Sequence, residues 1–366
     1  MWQRHWTPSV RDAVARPPAG LESLRVLLAD VAPSRDGAMP VVTMSVDARS
    51  LAASGLPITL VVRIEGSRPI DDLALAAFAH EADELRARGV NVVGIEVDHD
   101  CATARLADYA RWLARQRDAL AKVAAGAAAT PDARSGARSG ARYRLSITAL
   151  PTWASSSSLS DVARSVDEIV VQVHAVRAPM IFDANTAWRD LSRFARAVAA
   201  EGRMLHVALP TYSAVVRDVI VSVDPEDVAR FVGKLRASPI DGVGGIVWFR
   251  LPVEGDDQTW SRATFARIVR GDLGTPAGIE ATRRARATVA LVARGDDRFD
   301  VVVSNSTSEL VEMPPIRIAG DIGDADMVMG YRANGLGAWV APRRSLARDE
   351  RVVIGWIRGK DIAVVE

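Results

Sequence analysis

Apolar runs and helix-like stretches alternate along the chain from residue 1 to about residue 271. Eight short runs that are apolar or alternate with period two predict β-strands at residues 2–6, 24–31, 58–65, 92–100, 145–150, 169–174, 205–209 and 245–251. Between them, apolar residues recurring every three or four positions predict helices, for instance at residues 71–88, 102–123, 187–200 and 225–237. Strands that alternate with helices in this way indicate an α/β fold.

Most of the predicted strands are apolar on one face only. On the third strand, Leu60, Val62 and Ile64 alternate with more polar positions. A central strand of an open doubly wound sheet would be apolar on both faces. A (β/α)8 TIM barrel fits the pattern better, because its outer face lies under helices and its lumen is polar toward the active-site end. Polar-face positions that are expected to line the lumen include Arg63, Glu65, Gln172, His174, His206, Trp248 and Arg250.

A different pattern follows residue 271. Helical periodicity stops at a linker-like GTPAG run, and strand-like segments at residues 288–292, 299–304, 338–341, 351–357 and 362–365 are separated by Gly, Asp, Asn and Pro. We therefore expect a TIM-barrel domain over residues 1–272 and a small antiparallel, β-sandwich-like domain over residues 285–366.

The stretch NVVGIEVDHDC, residues 91–101, carries the strongest chemical signal. Period-two geometry places Glu96, Asp98 and Asp100 on one strand face, opposite apolar residues. Like charges spaced about 7 Å apart repel, so the arrangement favours a polar cavity in which carboxylates do chemistry. The alternative is a strand end that leads into a solvated acidic loop.

Composition narrows the classes of function. Hydrophobic residues make up 49% of the chain and charged residues 25%, which is typical of a globular protein. A net charge of +1 argues against a broad nucleic-acid surface. The single cysteine, Cys101, excludes an intrachain disulfide, and no run of 18 apolar residues predicts a membrane span. Without a signal-like start the product is expected in the cytoplasm, or in the periplasm or outside the cell where an upstream signal precedes residue 1.

Two resemblances attach to the carboxylate strand. VGIEVDHD, residues 93–100, resembles the DGxDxDxE strand of family 18 glycoside hydrolases, the chitinase-like barrels, and lies on the fourth strand as it does there. The chain as a whole resembles the uncharacterised bacterial family of domain of unknown function 3142. That resemblance covers most of the chain and is carried by WQRHWT, EVDHDC, TALPTW and ALPTY.

The first resemblance implies a glycoside hydrolase that acts on a polysaccharide or oligosaccharide, with or without assistance from a substrate acetamido group. Asp100 would be the general acid, with its pKa raised by burial and by Asp98, while Asp98 would orient and stabilise and Glu96 would complete the catalytic set. Asp100 stands where the family has a glutamate, which shortens the reach by one methylene and leaves Glu65 as another candidate acid.

Aromatic and polar strand-end residues form the expected substrate-binding set. By resemblance, Trp248 falls at the floor of the sugar site and His174 where a tyrosine holds the substrate. Tryptophans at strand ends could stack on sugar rings, although core packing explains such rings equally well. The substrate-binding candidates are Trp6, Arg63, Glu65, Trp153, Gln172, His174, Tyr212, Trp248 and Arg250.

Two other functions remain open. A carbohydrate-binding barrel without catalysis would keep the cleft and lose the acid. A metal-dependent hydrolase would use His5, His174 or His206 with Asp98 or Asp100, but no HxH or HxxxH spacing supports this. No cofactor and no metal are expected, carbohydrate is the expected partner, and the oligomeric state is open.

Overall fold

A computed structural model describes residues 4–33, 39–66, 73–128, 142–176, 180–216, 219–256, 258–271, 287–307, 311–342, 345–346 and 349–365. Two sheets with separate cores organise these residues. The helices are α1 (Pro8–Ala15), α2 (Ala48–Ser54), α3 (Ala76–Ala87), α4 (Leu106–Ala128), α5 (Leu159–Arg164), α6 (Ala184–Val198), α7 (Pro225–Ala237) and α8 (Arg262–Arg270). None of the described helices is both long enough and apolar enough to cross a membrane.

The strands of the first part of the chain are β1 (Leu24–Val31), β2 (Val41–Thr43), β3 (Ile58–Ile64), β4 (Val92–His99), β5 (Arg144–Ala149), β6 (Glu168–Gln172), β7 (Met204–Pro210), β8 (Ser213–Val216), β9 (Val219–Ser222) and β10 (Val243–Phe249). The strands of the last part are β11 (Thr288–Gly295), β12 (Arg298–Ser304), β13 (Val311–Glu312), β14 (Ile316–Met327), β15 (Arg332–Ala333), β16 (Ala338–Val340), β17 (Ser345–Leu346) and β18 (Arg351–Val364).

The larger sheet has eight strands in the order β10-β7-β6-β5-β4-β3-β1-β2. Its neighbours are parallel except for β2, which pairs antiparallel with the end of β1. Among the described residues, β10 and β1 stand apart in this order, so no closed barrel is shown. The α/β class is confirmed, and the finer expectation of a closed (β/α)8 TIM barrel is not.

The predicted first strand is wrong in its described part. Residues 4–6 form a bend that leads into α1, and residues 2–3 lie outside the described residues. The Arg4 guanidinium reaches the Asp30 carboxylate at 2.5 Å, while Trp6 is buried in the larger core. Thr7 then caps α1 by accepting a hydrogen bond from the Val10 amide, so the chain turns into a helix where a strand was expected to end.

Local sequence signals explain the helices that cover the sheet. In α6, the Asp183 side chain accepts a hydrogen bond from the Thr186 amide at 2.7 Å and caps the first turn. Residues spaced by three and four positions then face the core, as an amphipathic helix requires. These buried residues are Ala187, Leu191, Phe194, Ala195 and Val198.

The separate antiparallel sheet that the sequence predicts near the C-terminal end is confirmed. Six strands pair in the order β11-β12-β18-β14-β16-β15 around a core that includes Trp339 and Ile354. The linker predicted at residues 274–278 and the domain boundary between residues 272 and 285 lie outside the described residues. The division into two domains therefore stays a prediction.

Candidate active site

Strand β4 positions the three predicted carboxylates. Ile95 and Val97 are buried in the apolar core, while Glu96, Asp98 and Asp100 line a pocket of about 220 Å³ on the other side of the strand. Gly94 lets β4 lie close to its neighbour, because a Cβ there would come within 2.7 Å of the next strand's backbone. The period-two prediction of a shared carboxylate face thus agrees with the pocket lining.

Glu96 is held from three sides. Its side chain is buried and forms an ion pair with Arg25 on β1. The Ser146 and Thr148 hydroxyls of β5 donate hydrogen bonds to it at 3.3 and 3.4 Å. These donors fix the position of the Glu96 carboxylate, so Glu96 is unsuited to move during a reaction.

Asp98 is the carboxyl group with the most perturbed environment on the strand. Burial, followed by the negative charges of Glu96 and Asp100, raises the pKa of Asp98 from 3.8 to about 7. The positive charge of Arg63 and a hydrogen bond with Thr148 oppose the rise without cancelling it. A carboxyl group with a pKa near neutrality can both hold and release a proton at physiological pH, which is what a general acid requires.

Asp100 lies at the mouth of the pocket and is exposed, just beyond the end of β4. The expectation that burial would act on Asp100 is therefore wrong: burial acts on Asp98, one strand repeat deeper. The physical reason is position along the strand, because the last carboxylate of the three reaches solvent.

The pocket collects most of the predicted site residues. The predicted residues that line it are Arg63, Glu96, Asp98, Asp100, Gln172, His174, Tyr212 and Trp248. Residues that line it without having been predicted as site residues include Arg25, Val61, Thr148 and Phe249. Aromatic groups thus face carboxyl, guanidinium and amide groups across one opening, as a small polar ligand with apolar faces would need.

Three aromatic rings, from His174, Tyr212 and Phe249, pack together at one side of the pocket. The His174 ring stacks on Phe249 with centroids 5.3 Å apart, and Tyr212 packs edge-on against both. Tyr212 Oη lies 3.3 Å from His174 Nδ1. Burial lowers the pKa of His174 to about 3, so its imidazole is neutral at physiological pH. Burial also raises the pKa of Tyr212 to about 12.

Trp248 borders the pocket from the opposite side of its strand. In the register of β10 with β7, Val247 pairs with Ala208 and Trp248 with the core residue Leu209. The Trp248 ring accordingly packs edge-on against Phe265 of α8, 5.3 Å between centroids. The predicted faces of the eighth strand are therefore reversed: Val247, not the Trp248 ring, shares the concave face with its neighbour.

Four predicted residues do not line the pocket. Trp153 is fully buried and donates its indole hydrogen bond to the Cys101 carbonyl at 2.9 Å, so core packing explains it. Trp6 is also buried in the core. Glu65 pairs at 2.9 Å with Arg63, which does line the pocket. Arg250 pairs with Asp256 at 2.9 Å.

Sequence reasoning missed an ion-pair network that includes part of the pocket lining. Arg25 binds Glu96 with one guanidinium nitrogen and Glu168 of β6 with another. Glu168 also lies 2.6 Å from His206 Nδ1 on β7. A signal was present in the sequence, because Arg25 and Glu168 are charged residues in the otherwise mostly apolar runs LRVLLADV and EIVVQ. That the two residues contact each other could not be predicted from either strand sequence alone.

A metal centre finds no support in the part of the chain that the structure describes. No group of three or more His, Cys, Asp or Glu side chains there is arranged to hold a metal ion. His174 lies near Tyr212 and Phe249, and His206 near Glu168.

Comparisons with known proteins confirm one of the two resemblances directly. The family model described as Domain of unknown function (DUF3142) matches residues 54–135 and 134–221. None of the curated proteins compared matches the chain.

Solved structures with a related fold include the spore cortex-lytic enzyme SleL of Bacillus megaterium QM B1551, at 9% identity and a TM-score of 0.45 over 73% of this chain and 71% of that one. A GH18 chitinase from Pseudoalteromonas aurantia matches at 15% identity and a TM-score of 0.39, over 64% of this chain and 90% of that one. A xylanase and alpha-amylase inhibitor protein from Scadoxus multiflorus matches at 13% identity and 0.41, over 72% and 93%. These values describe a loose likeness of fold, and they leave function to be argued from this chain's own residues.

Proposed function

We propose that this chain, with its match to the DUF3142 family model, is a glycoside hydrolase in which Asp98 is the general acid. The observation that carries the proposal is one strand face that brings three carboxyl groups into one pocket, the middle one with its pKa raised to about 7. The proposal reverses the roles expected from the sequence, in which Asp100 was the acid and Asp98 its support.

The chemistry of glycoside cleavage matches this arrangement. The leaving oxygen must be protonated while a second group stabilises positive charge on the sugar ring. Asp98 supplies the proton, because its pKa lies near neutrality. Asp100 is the second carboxylate, because it is exposed at the pocket mouth, whereas Glu96 is buried and bound by Arg25.

The pocket also suits a sugar. A volume of about 220 Å³ lies below the roughly 300–1,000 Å³ of sites for drug-sized ligands, so it accommodates one ring and leaves the rest of a polymer outside. Tyr212 and Phe249 offer apolar surface to the ring's C–H face. Gln172 and Arg63 offer hydrogen-bond donors to hydroxyl or acetamido oxygens.

A glycan panel tests the proposal. The wild-type protein, Asp98→Asn, Asp100→Asn and the surface variant Asp241→Asn would be incubated with polysaccharides that include N-acetylhexosamine polymers, and released reducing ends would be measured. We expect release by the wild type and Asp241→Asn, with loss of at least about 100-fold in Asp98→Asn. Equal release by the wild type and Asp98→Asn would refute Asp98 as the acid. Glycan binding without release by any protein would identify a carbohydrate-binding protein instead.

A further inference from the structure

Four ionisable side chains from four different strands meet at the floor of the pocket, and two of them, Arg25 and Glu96, line it. Arg25 of β1 bridges the carboxylates of Glu96 on β4 and Glu168 on β6, and His206 of β7 contacts Glu168 at 2.6 Å. Each side chain of the bridge is at most 15% exposed. Charges this well shielded from water interact strongly, so their arrangement affects any ionisable group beside them.

The two ends of the network differ in what they face. Glu168 contacts Arg25 and His206, and together they outweigh the effect of burial and lower the pKa of Glu168 to about 2. Glu96 instead stands next to Asp98 on the same strand face and lines the pocket. Of the two carboxylates that Arg25 bridges, Glu168 therefore contacts only Arg25 and His206 in this network, whereas Glu96 lies directly beside the proposed acid, Asp98.

We propose that Arg25 and Glu96 are a positioning pair: Arg25 holds the Glu96 carboxylate beside Asp98, and this carboxylate disfavours a second negative charge on Asp98. The use of the Asp98 proton in hydrolysis rests on the proposed function, whereas its presence on Asp98 does not. Neither Arg25 nor Glu96 needs to touch the substrate in this role.

Other groups around Asp98 raise or lower its pKa. Asp100 on the same strand adds negative charge, while Arg63 of β3 adds positive charge and Thr148 of β5 adds a hydrogen bond. Tyr109 of α4 lies close enough to sense the charge of Asp98, and burial keeps its phenol protonated. Among the neighbours that set the state of Asp98, Glu96 is the charged group of largest effect.

The carboxylates of Glu96 and Glu168, both bound by Arg25, offer a matched pair of substitutions. Glu96→Gln and Glu168→Gln are the same isosteric change, and each removes one of the two carboxylates that Arg25 binds. They differ in that Glu96 adjoins Asp98 directly. If Glu96 served only to hold Arg25, the two substitutions would change the pKa of Asp98 by similar amounts. The proposed role of Glu96 predicts a larger change in Glu96→Gln.

The ionisation of Asp98 can be measured without a substrate. Proton binding is titrated by potentiometry for the wild type and for Asp98→Asn, and the difference between the two curves gives the midpoint of Asp98. The same difference is taken in the Glu96→Gln and Glu168→Gln backgrounds. Circular dichroism and thermal unfolding of each variant establish that it is folded.

We expect a wild-type midpoint near 7. For a neighbouring charge about 7 Å away in a shielded site, the Glu96→Gln midpoint should lie lower by about one to two pH units. The Glu168→Gln midpoint should move by less than half as much. Equal shifts in the two variants, or no shift in Glu96→Gln, would overturn the proposal. Glycan cleavage is not part of this readout, so failure of the glycan panel and failure of the titration are independent results.

A measurement on the wild-type protein covers the case in which Glu96→Gln does not fold. Linkage is reciprocal, so ionisation of Asp98 must also be sensed by Glu96. We expect the side-chain ¹³C carboxyl resonance of Glu96 to show an inflection at the Asp98 midpoint, and the resonance of Glu168 to show a much smaller one. Absence of the inflection at Glu96 would contradict the proposal.

Discussion

Replacing Asp98 with Asn should stabilise the protein at alkaline pH and have little effect at acid pH. In the unfolded chain Asp98 ionises near its ordinary pKa of 3.8, whereas in the folded protein it keeps its proton up to about 7. Between these two values the folded state binds more protons than the unfolded state. The free energy of unfolding therefore falls as the pH rises through this window.

The size of the effect follows from the shift. The difference, 7 − 3.8 = 3.2 pH units, corresponds to about 4 kcal/mol at about 1.4 kcal/mol per unit. Because the Asp98 side chain is partly open to the pocket, solvent screening reduces this, and we expect about 3 kcal/mol. Asn keeps the shape and carries no charge, so Asp98→Asn removes the penalty that the wild type acquires above neutrality.

Urea unfolding followed by tryptophan fluorescence measures this difference. The free energy of unfolding would be determined at about pH 4 and about pH 8.5 for the wild type, Asp98→Asn and Asp241→Asn, whose carboxylate is exposed on a turn. We expect Asp98→Asn to exceed the wild type by about 3 kcal/mol at the higher pH and to match it at the lower. A pH-independent difference, or a less stable Asp98→Asn at the higher pH, would refute the reasoning.

Three substitutions test the surroundings of the site. Arg25→Met removes the guanidinium that pairs with buried Glu96 and partly buried Glu168, and should lower the free energy of unfolding by about 3–5 kcal/mol in urea. Arg111→Met, at an exposed pair, should lower it by less than about 1 kcal/mol; similar losses would contradict the account. Tyr212→Phe deprives His174 of a hydroxyl partner and should cost about 1–3 kcal/mol, which an unchanged midpoint of thermal unfolding would exclude. Trp153→Phe should cost about 1–2 kcal/mol and leave glycan binding unchanged; weaker binding at unchanged stability would return Trp153 to the site.

Alternation along the strands predicted the faces of the sheet where polar residues occupy one parity. On β4 the run Glu96, Asp98, Asp100 identified the pocket face, and on β6 Gln172 and His174 did the same. On β10 both parities carry apolar residues, so polarity gave no basis for choosing. A register shift near the start of the β10–β7 pairing then fixes the outcome through neighbours that are distant in sequence.

Contacts between residues that are distant in the sequence could not be predicted from it. Arg25 and Glu168 are 143 residues apart and meet because the sheet curves. Each is a charged residue in a mostly apolar strand, which indicates a partner but does not identify it. The burial difference between Asp98 and Asp100 has the same origin, since the pairing of β4 ends at His99 with β3 and at Asp98 with β5.

In the C-terminal sheet, one long strand was missed because its sequence is rich in glycine and aspartate, which are depleted in strands. The run AGDIGDAD belongs to β14, a twelve-residue strand that the sequence did not predict. Gly320 lies inside this strand, where a Cβ would come within 2.6 Å of the Asp361 carbonyl on β18. Close approach of two bulged strands, rather than a turn, requires the glycine there.

The pH dependence of turnover tests the central claim most directly. For a glycan that the panel identifies, kcat/KM would be measured across the pH range for the wild type and Asp98→Asn. If Asp98 is the general acid, wild-type kcat/KM falls above a midpoint near 7, and this midpoint coincides with the one from the proton titration. The claim would be contradicted if Asp98→Asn turned over the glycan at the wild-type rate and its kcat/KM fell above the same pH.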